Sequence, residues 1–249
     1  MSESTLRYSR HLNLPAFADD GQQRLATARV LIIGMGGLGN PAALYLASSG
    51  LGHIRINDFD HIDVTNLPRQ ILYREADIQQ PKASSAAARL KELNPDVQIE
   101  AHDERLDSAT LGKYIGQADV VLDCTDNFAS RWMINEACAN QRTALITGAA
   151  IRMEGQLTIF RHDLGTGPCF RCLYDEADEN LNDCAGQGIL APVAGSIGCM
   201  MATEAIKILL GIESELYGKL WVYDANSGQT RLVGIPQRDD CPVCSARRS

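Results

Sequence analysis

The chain has 249 residues, 45% of them hydrophobic and 22% charged, with a formal net charge of −8, an ordinary globular composition long enough to bury a sizeable α/β core. That acidic balance, with no basic block beyond Arg247-Arg248, argues against broad nucleic-acid binding. The polar start, MSESTLRYSR, has no apolar stretch of the kind a secretory signal needs, which predicts a cytoplasmic protein.

Two short helical patterns, over 4–12 and 18–28, form an N-terminal arm ahead of a strand at 29–33. Helix and strand patterns then alternate: helix 39–48, strand 53–57, helix 82–93, strand 97–101, helix 108–115, strand 119–124, helix 130–140 and strand 144–147. Alternation of this kind predicts a doubly wound, mostly parallel, Rossmann-like α/β sheet. Pro81 suits a first helical turn and Asn94-Pro95 stops the same helix. Past Gly148 the pattern changes to antiparallel strands at 156–160, 220–223 and 229–233, separated by an apolar run over 192–210. The run approaches membrane-spanning length, yet Glu204, Lys207 and its glycines mark it as a buried core helix. The stretch 174–187, rich in Asp, Glu and Asn and without period, reads as a mobile loop.

The first strand runs into Gly34-Met35-Gly36-Gly37-Leu38-Gly39, a G-x-G-x-x-G turn in strand-turn-helix context. Glycine lets backbone approach a phosphate, and the helix start offers free N–H groups. Asp58, at the end of the second strand, is placed to accept ribose hydroxyls. The turn alone does not tell ATP from NAD. Arg69 and Lys82 make the choice, because breaking a triphosphate calls for cations around the departing charge; as isolated residues they would read equally well as solvated surface charges. Asp126, just past the strand at 119–124, either holds Mg²⁺ through water or caps the next helix.

Cys169-Phe170-Arg171-Cys172 and Cys241-Pro242-Val243-Cys244 are two C-x-x-C knuckles. Four thiolates at this spacing match a closed, structural Zn²⁺ site that would staple the C-terminal tail to the body, with redox dithiols as the alternative. Cys124, Cys138 and Cys199 fall in apolar patterns, whereas Cys184 lies in the 174–187 stretch. Two readings fit Cys184: a nucleophilic or sulfur-carrying thiol, and an incidental loop cysteine.

Arg7-Tyr8-Ser9-Arg10, the glycine turn, Asn66-Leu67-Pro68-Arg69-Gln70, Pro81-Lys82, Asp123-Cys124-Thr125-Asp126-Asn127, Gly148-Ala149-Ala150-Ile151-Arg152-Met153-Glu154-Gly155-Gln156 and the two knuckles occur in this order. Together they resemble the bacterial adenylating enzymes that activate sulfur-carrier proteins, relatives of the ubiquitin-activating enzymes. The resemblance covers nearly the whole chain, and the Gly148 run is most similar to the molybdopterin-synthase adenylyltransferase branch, with the thiamine-pathway enzyme second. It implies one domain over 1–249, made of an arm (1–28), a nucleotide-binding core (29–160) and a zinc-binding, carrier-docking part (161–249). By the same resemblance Gly34, Gly36, Gly37 and Gly39 hold the phosphates of ATP and Asp58 binds ribose. Arg69 and Lys82 steady the triphosphate, Asn66, Gln70, Thr125 and Asn127 complete the nucleotide site, and Asp126 positions Mg²⁺ and the reacting carboxylate. Arg10 is expected to reach the active site of the second subunit of a homodimer, and Cys184 matches the family's loop cysteine.

The implied partner is a ubiquitin-like carrier ending in Gly-Gly, whose carboxylate attacks the α-phosphate and expels pyrophosphate. No sulfurtransferase domain follows the second knuckle, so a separate sulfur donor protein is expected. Pro68 departs from the Gln common in relatives and removes a backbone donor from the Arg69 loop.

Overall fold

The computed structural model describes residues 6–17, 20–174 and 188–244. Its strands are β1 (Arg29–Ile33), β2 (His53–Asn57), β3 (Gln98–His102), β4 (Val120–Asp123), β5 (Ala144–Ile151), β6 (Glu154–Phe160), β7 (Lys219–Asp224) and β8 (Gln229–Gly234), joined in one sheet of order β3-β2-β1-β4-β5-β6-β7-β8. Pairing is parallel from β3 to β5 and antiparallel from β5 to β8. The change of sense has a local cause. Helical crossovers carry the chain back between the parallel strands, whereas only Arg152 and Met153 separate β5 from β6, a connection short enough only for a hairpin. Arg152 takes the left-handed conformation at φ 53° to make that turn.

The helices are α1 (Ser9–Leu12), α2 (Gly21–Thr27), α3 (Gly39–Ser48), α4 (Lys82–Leu93), α5 (Ser108–Ile115), α6 (Phe128–Gln141), α7 (Phe170–Leu173) and α8 (Ala191–Leu210). They cover both faces of the sheet. Val30 and Ile32 of β1 join one hydrophobic cluster with residues of α3, α4 and α8, while Leu31 and Ile33 join a second with residues of α5 and α6. Such two-sided burial is what makes the central strands read as unbroken apolar runs.

α8 is long and apolar enough to cross a membrane by length and composition alone. Its stripe of Val193, Ile197, Met201 and Ala205 is buried, and the helix packs on α3 and β5. A Cβ at Gly198 would meet the Leu38 carbonyl oxygen at 2.3 Å, so α8 approaches the start of α3 backbone to backbone there. The expected core helix is observed. Between α1 and α2 Pro15 opens a separate 3-10 turn at Pro15–Phe17.

A candidate nucleotide site and a cysteine cluster

β1 pairs with β2 on one side and with β4 on the other, so the chain reverses its direction of travel across the sheet at β1. A crevice opens at such a switch point, beyond the carboxyl ends of the strands. The glycine turn leaves β1 and the Cys124 to Asn127 turn leaves β4 on the two sides of that crevice, which opens into a cavity of about 910 Å³. The turns touch. Gly34 has φ 94°, and a Cβ there would lie 2.8 Å from the carbonyl oxygen of Cys124, so a residue without a side chain is required.

The cavity brings together Gly34, Gly36, Gly37, Asp58, Asn66, Arg69, Gln70, Lys82, Thr125, Asp126 and Asn127. Gly39 does not line it. A Cβ at Gly39 would sit 2.0 Å from the Gly34 carbonyl oxygen, so this glycine permits the tight turn into α3 and does not face a ligand. Arg10 is exposed on α1, away from the residues lining the cavity. Cys184 lies outside the described residues.

Asp58 is 8% exposed and is already engaged. One carboxylate oxygen accepts the Met35 N–H at 2.7 Å and the other accepts the Asp60 N–H at 2.9 Å. Each oxygen keeps a further lone pair for a ligand. Burial raises the Asp58 pKa, with Lys82 and the two N–H bonds pulling against it. Lys82 is buried and its ammonium pairs with Asp60 at 3.0 Å.

Asp63 and Asn66 form a reciprocal capping box around the short 3-10 turn Val64–Asn66. Arg69 follows, with Nη1 donating to the Thr65 carbonyl at 2.8 Å and its stem close to Gly37. The Arg69 and Gln70 N–H groups both donate to Asn66 O, so the loop closes without the donor that Pro68 lacks. Gln70 is 2% exposed and lines the cavity, and its buried Oε1 has no hydrogen-bond partner among the described residues.

At the β4 edge the cap of α6 falls to the neighbour of Asp126. Asn127 caps α6, accepting the Ser130 N–H at 2.9 Å, and Asp126 is exposed and lines the cavity. Two neighbours that sequence reasoning passed over hold this turn. Asp123 is fully buried, accepts from the Thr125 N–H and hydroxyl at 3.0 and 2.7 Å and from the Thr147 hydroxyl at 3.2 Å, and is raised by burial against the pull of Arg131. Arg131, 8% exposed, donates to the carbonyls of Thr125 and Gly148 and so ties the turn to β5. Its position, one helical turn beyond the Asn127 cap, is the sequence signal that could have found it. Cys124 also lines the cavity, where burial first and Asp123 second push its thiol up.

Cys169, Cys172, Cys241 and Cys244 gather within the second hydrophobic cluster, their sulfurs all within 4.8 Å of one another. Cys169 and Cys241 sulfurs are 3.6 Å apart and Cys172 and Cys244 sulfurs 3.7 Å. A tetrahedral ion with metal–sulfur bonds of about 2.3 Å requires sulfurs about 3.8 Å apart. The cluster fits such an ion, and it joins residues of α7 to the tail beyond β8.

A model of the ThiF family matches residues 8–243. The chain is 45% identical over 239 residues to the sulfur carrier protein ThiS adenylyltransferase of Escherichia coli (strain K12), covering 96% of this chain and 94% of that one. It is 43% identical over 242 residues to the molybdopterin-synthase adenylyltransferase of the same organism, covering 97% of both. At 42% identity it matches the adenylyltransferase and sulfurtransferase MOCS3 of Drosophila yakuba over 99% of this chain but spans only 54% of that protein. The crystal structure of E. coli MccB with ATP shares the fold at 24% identity, with a TM-score of 0.84 over 96% of this chain and 73% of that one. The chain belongs to the ThiF family.

Proposed function

We propose that the protein uses ATP to adenylate the C-terminal carboxylate of a small ubiquitin-like sulfur carrier ending in Gly-Gly, releasing pyrophosphate and leaving an acyl-adenylate ready for sulfur. The observation that carries this reading is the convergence of Arg69, Lys82 and Asp126 on one cavity with the glycine turn. In such a reaction the carrier carboxylate attacks the α-phosphate and negative charge grows on the departing pyrophosphate. Arg69 and Lys82 supply the positive charge that meets it. The amides of Gly36 and Gly37 face the phosphates, and the remaining lone pairs of Asp58 receive the ribose hydroxyls. Asp126 is the free carboxylate at the cavity, suited to hold Mg²⁺ through water, which would help neutralise the triphosphate.

The cysteine cluster is assigned to Zn²⁺ in a closed, structural role, since all four positions are sulfur. Within the same reading the protein is a homodimer, Arg10 completes the site of its partner subunit, and 161–249 carries the carrier-docking surface beside the core 29–160. Cys184 is assigned to the sulfur-transfer stage.

The test is ATP–pyrophosphate exchange with the molybdopterin and thiamine carriers offered separately. Exchange should require a carrier, fall at least about a hundredfold in Arg69→Ala and Asp126→Ala, and survive in Cys184→Ser. Undiminished exchange in both the Arg69 and the Asp126 variant would overturn the site assignment.

A further inference from the structure

The backbone of Met35 is held at its N–H and at its carbonyl by side chains from other segments. Its N–H donates to Asp58 at 2.7 Å. Its carbonyl accepts from Asn40 Nδ2 at 2.7 Å and from the Tyr73 hydroxyl at 3.0 Å, whose single proton it shares with the Lys82 carbonyl. Asn40 is fully buried at the start of α3, and its Oδ1 accepts the Leu72 N–H at 2.9 Å. Tyr73 is 5% exposed and its hydroxyl also sits 3.2 Å from the carbonyl of Lys82. One carboxamide and one phenol thus join the glycine turn, the segment after Arg69 and Gln70, and the backbone of Lys82.

We propose that Asn40 and Tyr73 are positioning residues for the nucleotide: they fix the peptide between Met35 and Gly36, and with it the spacing between the phosphate-facing amides and the two cations. The geometry of the amide explains how. In a trans peptide the N–H points opposite to the C=O. Anchoring the Met35 carbonyl on Asn40 and Tyr73 turns the Gly36 N–H away from them. Among the described residues neither the Gly36 nor the Gly37 N–H has a hydrogen-bond acceptor, and both glycines line the cavity. Two free amides held in a fixed direction are what a phosphate needs. Without the clasp that peptide can rotate, because glycine on its far side offers little resistance. The Arg69 segment and Lys82 would also lose their common reference point.

This inference rests on the reading of the cavity as an ATP site, and its test separates the two. Binding of Mg-ATP is measured by calorimetry, without carrier, for the wild type, Tyr73→Phe and Asn40→Asp, alongside thermal melts of each. Absence of ATP binding by the wild type would sink the nucleotide reading itself before any variant is compared. Tyr73→Phe removes only the hydroxyl. Asn40→Asp keeps an acceptor for Leu72 but sets an oxygen against the Met35 carbonyl. Each folded variant is expected to bind ATP about five- to tenfold more weakly, as loss of one oriented hydrogen bond predicts. In exchange assays the KM for ATP should rise by the same factor while the KM for carrier stays within about twofold. Wild-type ATP affinity in folded Tyr73→Phe overturns the proposal. A purely structural role, in which binding falls only in step with the folded fraction and both KM values move together, overturns it as well. Tyr73→Phe decides the matter if Asn40→Asp does not fold.

Discussion

The Lys82 ammonium lies 3.0 Å from an Asp60 carboxylate oxygen, and the pair is lopsided: the lysine side chain is 8% exposed, the aspartate 55%. Both residues line the cavity, so a buried cation is held by a carboxylate that solvent and an incoming phosphate can reach. If the cavity takes ATP as proposed, Asp60 and the triphosphate compete for the same charge. Asp60→Asn is expected to lower the KM for ATP about two- to fivefold, in keeping with about 0.2–1 kcal/mol for a partly exposed ion pair. Exchange rates against ATP concentration check this, and an unchanged or raised KM rejects the competition.

The glycines of the turn are predicted to fail in different ways. A Cβ at Gly39 would overlap the Gly34 carbonyl at 2.0 Å, whereas one at Gly36 would meet only Gln70 Nε2 at 3.8 Å. Gly39→Ala should therefore unfold or melt well below wild type, losing at least about 3 kcal/mol through overpacking. Gly36→Ala should keep its fold and lose ATP affinity, because the added methyl occupies the approach of a phosphate. Melting curves with ATP titrations separate the cases, and tight ATP binding by Gly36→Ala would contradict the cradle.

Asp58 at the cavity and Asp63 in the capping box beside it titrate in opposite senses. Burial raises Asp58 above 3.8, so the folded protein holds that proton more tightly than the unfolded chain does. Its contribution to stability is full below 3.8 and is lost as pH rises through the folded value. Asp63 is held below 3.8 by the hydroxyl and N–H of Thr65, so its contribution is present above 3.8 and is lost as pH falls through the folded value. Melts between about pH 3 and 7 should show the gap between wild type and Asp63→Ala closing toward acid, and the gap for Asp58→Ala closing toward neutrality. Gaps that do not vary with pH would refute both assignments.

Loss of the proposed Zn²⁺ should act on the tail and not on the nucleotide site. The paired replacement Cys172→Ser with Cys244→Ser is expected to abolish a zinc content of about one ion per chain. The melting midpoint should fall by several degrees, since about 1 kcal/mol shifts a chain of this size by about 2–4 °C. Elemental analysis with calorimetry provides the check. A wild-type protein that is fully folded with no bound metal would reject the staple.

The sequence by itself determined most of the scaffold. β1, β2, α3, α4 and α5 begin and end where hydrophobic period, Pro81 and Asn94-Pro95 place them, because those signals act within a few residues. The glycine turn, the Arg69 segment, Asp126 and both knuckles were legible for the same reason: each is a short run whose chemistry is visible in its own residues. β5 was read as ending at residue 147 but continues to Ile151, since its last residues are strand only by pairing with β6 across the Arg152 turn. Tertiary structure alone decided which polar groups support the site. Asn40 meets Leu72 between two crossovers, Asp123 meets Thr147 between paired strands and Lys82 meets Asp60 across one connection, over 32, 24 and 22 positions of sequence. Periodicity records which way a residue faces; a buried hydrogen bond depends on what arrives opposite it, and only the assembled fold supplies that partner.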